Sequence, residues 1–144
     1  MSEMLDLIMQ STEKMFKDSC TKKIVDGLDE GRWSGDLWNT IVSSGLLTIG
    51  VPEELGGSGG DYIDGFHILR LAGKYAVPLP VLETILVNWL RAEKGLMPLS
   101  VPVTFRLTHE PTVSVAKQGD HFTINGEIQH VPWGRFSQYV LVSG

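Results

Sequence analysis

Leu37 to Gly60 reads LWNTIVSSGLLTIGVPEELGGSGG, and this stretch decides the fold. Trp38, Ile41, Val42, Gly45 and Leu46 fall at i, i+3, i+4, i+7 and i+8, one face of a helix. Gly45 suits the left-handed residue that closes such a helix. Leu46, Leu47, Ile49 and Val51 then form an apolar run into Pro52, where regular structure ends. Gly56, Gly57, Gly59 and Gly60 let the backbone turn before the next helix.

Outward from this segment the period stays helical. Leu5, Ile8, Met9, Thr12, Met15, Phe16 and Cys20 predict a first helix from about Ser2 to Cys20, with Ser2 as its N-cap. Ile24, Val25 and Leu28 predict a short second helix ended by Gly27 or Gly31, and Ser34 and Asp36 start the helix of the opening segment. Asp61 is a good N-cap for a fourth helix. Tyr62, Phe66, Leu69, Gly73 and Ala76 mark one of its faces, while Ile63, Ile68, Leu71 and Tyr75 make its other sides apolar, which places it at the middle of a bundle. Pro78 interrupts it, Pro80 suits the first residue of a fifth helix, and Gly95 caps that helix.

At Pro98 the period changes to two. Val101, Val103, Phe105 and Leu107 alternate, as do Val113 with Val115 and Phe122 with Ile124. Gln118-Gly119-Asp120 reads as a hairpin turn, and Asn125-Gly126 is the strongest hairpin dipeptide in the chain. Ile128 and Val131 follow, and Tyr139 to Val142 give a nearly continuous apolar strand. The expected class is α+β: an N-terminal all-α helical bundle over residues 1–97, then a partial antiparallel β domain over residues 98–144. A buried-looking strand with no element after it implies a truncated β domain or one that another chain completes.

Composition narrows the function. The 144 residues carry a net charge of −5 and 42% apolar residues, ordinary for a globular protein and unlike a nucleic-acid binder, which needs a basic face. The single cysteine, Cys20, excludes a disulfide framework and a multi-cysteine metal site; it fits a reducing compartment, so a cytoplasmic location is expected. The acidic N-terminus lacks the basic region of a signal peptide, and no apolar run reaches membrane-spanning length.

The ordered set Trp38, Gly45-Leu46-Leu47, Val51-Pro52-Glu53-Glu54 and Gly56-Gly57 resembles the N-terminal domain of the flavin-dependent acyl-CoA dehydrogenases. Gly119-Asp120, Ile124-Asn125-Gly126 and Val140-Leu141-Val142 extend the resemblance to the opening of that family's middle β domain. The resemblance implies FAD as cofactor, an acyl-CoA thioester as substrate, homo- or hetero-oligomeric assembly, and α,β-dehydrogenation. In that reaction a glutamate takes the α-proton while the β-hydrogen leaves as hydride to the flavin. That glutamate belongs to a C-terminal helical bundle outside this sequence, so no catalytic residue is assigned. The expected role is to wall the acyl pocket and support the flavin domain, inactive alone. The alternative is a non-catalytic subunit or interaction module of a mixed oligomer.

Two flavin-facing motifs depart from the family pattern. Leu107-Thr108-His109-Glu110-Pro111-Thr112-Val113 keeps Glu-Pro but inserts His109 and lacks the following glycine-serine-aspartate turn. The position of Trp-Ile-Thr, counted from Asn125-Gly126, holds His130, Val131 and Pro132, and these are the cofactor-binding candidates by position. Proline has neither N–H nor hydroxyl, so both departures weaken the flavin site.

Other candidates weigh less. Glu53 and Glu54 could share a proton, but a solvated loop after Pro52 accounts for them better. The GGSGG loop lacks the Lys-Ser/Thr of a phosphate-binding loop. His67 reads as a packed helix residue, and His109, His121 and His130 have no metal-ligand spacing. Trp133-Gly134-Arg135 could face a cofactor or a subunit, although a turn with a packed tryptophan is favoured.

Overall fold

The computed structural model describes residues 3–107 and 113–142. Five helices precede four short strands: α1 (Glu3–Ser19), α2 (Lys22–Asp29), α3 (Gly35–Ser43), α4 (Tyr62–Lys74), α5 (Val81–Glu93), β1 (Val103–Arg106), β2 (Val113–Gln118), β3 (His121–Gly126) and β4 (Tyr139–Val142). The class is the expected α+β. Among the described residues, no helix is long and apolar enough to cross a membrane. Ser2, His109, Glu110 and Gly144 lie outside the described residues.

The core forms where the opening segment meets α4 and α5. Trp38 and Ile41 of α3, Leu46, Leu47, Ile49 and Val51 of the turn, Ile68 of α4 and Ile85 of α5 are all buried. Gly45 takes the left-handed conformation, φ +77°, and a 3₁₀ turn over Leu46–Thr48 drives both leucines inward. The glycine-rich loop then folds back along this turn. Gly50 N–H donates to Gly59 O at 2.8 Å, Gly59 N–H to Val51 O at 2.9 Å and Ser58 N–H to Thr48 O at 3.1 Å. A Cβ on Gly57 would stand 2.1 Å from Val51 O, so no larger residue fits this return.

Helix α4 starts at a reciprocal capping box. Asp61 accepts from the Asp64 N–H at 3.0 Å and Asp64 accepts from the Asp61 N–H at 2.9 Å. Glu13 ties α1 to the end of α4 by accepting from Lys74 at 2.5 Å and Tyr75 at 2.8 Å. Those hydrogen bonds, Lys74's first, hold the Glu13 carboxyl below its ordinary range. Contrary to the sequence expectation, α4 is not surrounded: Ile63 is 63% exposed and Phe66 58%. On that side the edge of Phe66 meets only the Trp89 ring, at 5.6 Å, and its remaining surface is open. Pro80 is the N-cap of α5 and not its first residue. Gly27 lies inside α2, and Gly31 follows it with φ +77°.

The strands form two pairs. β2 and β3 are the expected antiparallel hairpin, with Val115 opposite Ile124 and Gln118 opposite His121. Gly119, at φ +63°, makes the turn. β1 pairs with β4 in parallel, Phe105 opposite Leu141, which departs from an all-antiparallel meander. The long excursion between Arg106 and Tyr139 allows this, since it brings the chain back to start β4 beside the start of β1. Asn125-Gly126 is not a hairpin turn. Both residues end β3, paired to Ser114 and Val113. Ile128 and Val131 form no strand; residues 127–138 are a loop with a turn at Trp133–Ser137. Pro132 removes a ladder donor there.

Two side chains of α5 join the helices to the β part: Thr84 exchanges hydrogen bonds with Val103 of β1 at 3.5 Å, and Asn88 holds the segment that leads into it. Asn88 is fully buried. Its Nδ2 donates to Leu47 O at 2.9 Å and Leu99 O at 3.0 Å, and its Oδ1 accepts from the Leu99 N–H at 2.8 Å. Replacing it with alanine strands these backbone groups away from water, so Asn88→Ala is expected to lower unfolding stability by about 3 kcal/mol. Urea unfolding measures this, and a loss under about 0.5 kcal/mol would show that the three hydrogen bonds do not carry the junction.

Candidate functional site

The site candidate is a cleft of about 330 Å³ bounded by α4, α5, β1 and β4. Leu86, Trp89, Leu90 and Glu93 of α5 line it at i, i+3, i+4 and i+7, the spacing of one helix face. Phe105 and Leu107 face it from β1 and its end, two residues apart as alternation on a strand requires, and Leu141 joins them from β4. Tyr62 closes the α4 side.

Trp89 fixes the shape. Its Nε1 donates to Ile49 O at 2.7 Å, which anchors the indole to the opening segment. A Cβ on Gly65 would come within 2.2 Å of the indole, so α4 approaches this closely only because it carries glycine there. The rings of Tyr62 and Phe66 lie 4.7 and 5.6 Å from that of Trp89. At the rim, Tyr62 Oη donates to Glu93 Oε1 at 2.6 Å. This hydrogen bond, then burial and the Glu93 charge, push the phenol above its ordinary value.

His130, Val131 and Pro132 lie in the loop that packs on β1. Thr104 Oγ1 donates to Pro132 O at 2.6 Å and Arg106 Nη1 to His130 O at 3.4 Å. The loop is strained, because His130 and Trp133 both have positive φ, +56° and +57°. As a seat for a flavin edge the three residues fit poorly. Pro132 has no N–H, and two of the three carbonyls already accept from β1. None of the three lines the cleft.

Trp133 is half-buried, as the packed-turn reading expects, and its side chain hydrogen-bonds Glu83 on the first turn of α5. Burial, the largest effect, pushes the Glu83 carboxyl above its usual range, while hydrogen bonds from its own backbone N–H and then from Trp133 pull it back. Arg135 is exposed.

The other candidates separate by geometry. Glu53 and Glu54 are exposed on a 3₁₀ turn away from the cleft. The GGSGG amides of Gly57, Ser58 and Gly59 donate to the carbonyls of Pro52, Thr48 and Val51 in the preceding turn, which leaves them unable to cradle a phosphate. His67 is half-buried on α4, and His121 and His130 are exposed. Among the described residues no three His, Cys, Asp or Glu side chains cluster as metal ligands. Cys20 is half-buried and its thiol is pushed up by burial, away from a reactive thiolate.

The sequence pattern assigns no site to Leu86 or Leu90 and does not pair Tyr62 with Glu93. A signal for the wall existed, in the Leu82, Leu86, Leu90, Glu93 stripe left over once Ile85 and Trp89 are assigned to the core. Tyr62 and Glu93 meet across two helices, and no local pattern announces such a pair.

A family model described as "Acyl-CoA dehydrogenase, N-terminal domain" matches residues 2–103. The chain belongs to the acyl-CoA dehydrogenase family. It is 32% identical over 139 residues to acyl-CoA dehydrogenase IpdE2 of Mycolicibacterium smegmatis, a match covering 91% of this chain and 42% of that protein. It is 29% identical over 115 residues to IpdE2 of Mycobacterium tuberculosis, covering 70% and 35%. The acyl-CoA dehydrogenase-type chain thus spans less than half the length of these relatives. Its fold is shared with the ChsE4–ChsE5 complex of Mycobacterium tuberculosis, at TM-score 0.74 and 21% identity over 99% of this chain and 44% of that one. It is also shared with the Tcur3481–Tcur3483 steroid ACAD, at TM-score 0.80 and 22% identity over 97% and 44%.

Glu83 gives a pH test of the helix–loop junction. A carboxyl raised in the folded state binds its proton more tightly there than when unfolded. Its ionised form therefore opposes folding above the raised value, and the opposition fades as pH falls toward the ordinary glutamate range. Glu83→Gln is expected to raise the melting temperature at neutral pH, with the difference shrinking toward about pH 4. A difference that grows on acidification would mean that the hydrogen bonds to Glu83, and not its burial, govern the carboxyl.

Proposed function

We propose that this acyl-CoA dehydrogenase-type chain walls the acyl-binding side of a flavin-linked α,β-dehydrogenation site and is inactive alone. The observation that carries the reading is the apolar cleft on α5. Leu86, Leu90, Phe105, Leu107 and Leu141 offer an acyl chain apolar contact on two sides, and the Trp89 anchor keeps that wall rigid. The chain's part is to hold the acyl group out of water and seat the β part beside the cofactor. FAD, general to the family, would supply hydride acceptance when bound. The poor fit of His130–Pro132 supports its being held mainly by residues beyond this chain. In the described cleft the titratable side chains are Tyr62 and Glu93, bonded to each other, so a separate base for the α-proton is part of the proposal.

A second reading, a non-catalytic subunit in a mixed oligomer, is favoured by one specific observation. Structures of like fold are described as a ChsE4–ChsE5 complex and as Tcur3481–Tcur3483, each naming two chains. Pro132 in the flavin-facing position agrees with a subunit that leaves the flavin to its partner.

Purified protein is expected to be colourless in the visible flavin region. Medium-chain acyl-CoA should raise its melting temperature, since a ligand at a hundredfold its Kd stabilises by about 2.7 kcal/mol. Turnover should need a partner chain. Visible flavin absorption with turnover by the chain alone would overturn the inactive-alone reading, and an unmoved melting temperature would overturn the acyl-wall reading.

A further inference from the structure

The indole of Trp89, part of the cleft lining, is seated between two glycines. At its nitrogen edge, beside the hydrogen bond to Ile49 O, a Cβ on Gly50 would stand 2.7 Å from Nε1. At the edge of its six-membered ring, a Cβ on Gly65 would stand 2.2 Å from Cζ2 and 2.9 Å from Cη2. Ordinary carbon contact is about 3.5–4.0 Å, so a side chain at position 65 demands a shift of more than about 1 Å. The helices yield poorly, since a capping box fixes the start of α4 and Asn88 ties α5 to Leu47 and Leu99. The indole must give instead. Gly50 and Ile49 close its nitrogen edge, and the rings of Tyr62 and Phe66 lie against it at 4.7 and 5.6 Å. The side left open is the cleft, which Trp89 shares with Leu86, Leu90 and Phe105.

We propose that Gly65 is a positioning residue that sets specificity: it lets the indole sit back against α4 and so decides how much apolar chain the cleft admits. Resting on the acyl-wall reading, the ligand is an acyl thioester whose tail lies along α5 against Trp89. Gly65 does not itself line the cleft, so the limit on tail length is imposed from behind the wall. Trp89 is the part that moves, and a Cβ at position 65 converts the depth of the cleft into occupied space.

The test is a chain-length series, butanoyl-CoA to hexadecanoyl-CoA, titrated calorimetrically against the full chain. Affinity should rise about fourfold for each methylene the cleft buries and level off once the cleft is full. Gly65→Ala should level off about two methylenes sooner, weakening the longer thioesters about tenfold while butanoyl-CoA stays within about twofold. Gly73→Ala, on the same helix but facing open space, should leave the profile unchanged. Trp89→Phe leaves the room beside Gly65 unfilled, so its levelling-off point should move to longer chains. Adding Gly65→Ala to Trp89→Phe should withdraw that gain. This last pair decides the question where Gly65→Ala alone does not fold, and melting curves show which variants fold.

A levelling-off point that Gly65→Ala leaves in place, an equal loss at every chain length, or a Trp89→Phe gain that survives the added Gly65→Ala overturns the role of Gly65 and leaves the acyl wall standing. A parent chain that binds none of the thioesters, or all of them alike, overturns the acyl wall and this proposal together.

Discussion

The structure depends on two adjacent side chains of α5 reaching backward to the same stretch of backbone. Asn88 holds Leu47 O and Trp89 holds Ile49 O, two carbonyls of a turn that forms no regular ladder of its own. A buried turn of this kind fails unless its polar groups find partners, and here α5 provides them. Neighbouring residues on a helix point about 100° apart, so the pair clamps two sides at once. Asn88 faces the chain that leads into β1, through Leu99, and Trp89 faces α4 across Gly65. The clamp thus fixes α5 against the turn, against the lead into β1 and, through Trp89, against α4, which bounds the cleft.

Much of that fold is legible in sequence because its signals are local. The α3 face, the Gly45 stop, the Asp61 cap and the Gly119 turn are each fixed by residues within a few positions. The misreadings share another cause. Asn125-Gly126 carries the chemistry of a tight turn, yet β2 already supplies partners for both residues, and pairing outweighs turn preference. The parallel β1–β4 pair depends on where a long excursion returns, which no window of ten residues encodes. The apolar sides of α4 suggest full burial, but apolarity says only that a face wants covering and not that this chain covers it. The family-marking residues were visible, whereas the cleft was not, since Tyr62, Leu86, Glu93, Phe105 and Leu141 come together only after the clamp sets the angle between α4 and α5.

The same geometry explains why the cleft remains open. The inner face of α5 is consumed by the core, through Ile85, Asn88 and Trp89. Its outer stripe stays apolar: Leu82 and Leu90 are 45% and 54% exposed. Isolated exposed leucines need no explanation, but Leu90 shares the cleft with Leu107 and Leu141 of the β part, and Phe66 of α4 lies against its Trp89 wall. A contiguous apolar surface resting on a rigidly clamped helix is what a binding wall requires, because a ligand then finds its contact area preformed.

The loop at His130–Gly134 must be reconciled with that rigidity. Two non-glycine residues at positive φ each cost on the order of 1 kcal/mol or more, and a free loop would relax. It is held on three sides: Thr104 and Arg106 of β1 take the carbonyls of Pro132 and His130, and Glu83 of α5 takes the Trp133 side chain. The helix that walls the cleft thus also pins the loop, so a disturbance of the first turn of α5 reaches both. Glu83 stays half-buried and raised in pKa, an unfavourable place for a carboxylate. An apolar residue there would suit burial better but could not accept the indole N–H. Retaining the carboxylate trades local stability for a fixed loop position relative to the cleft, which has value only if something bound in the cleft must meet that loop in a defined geometry.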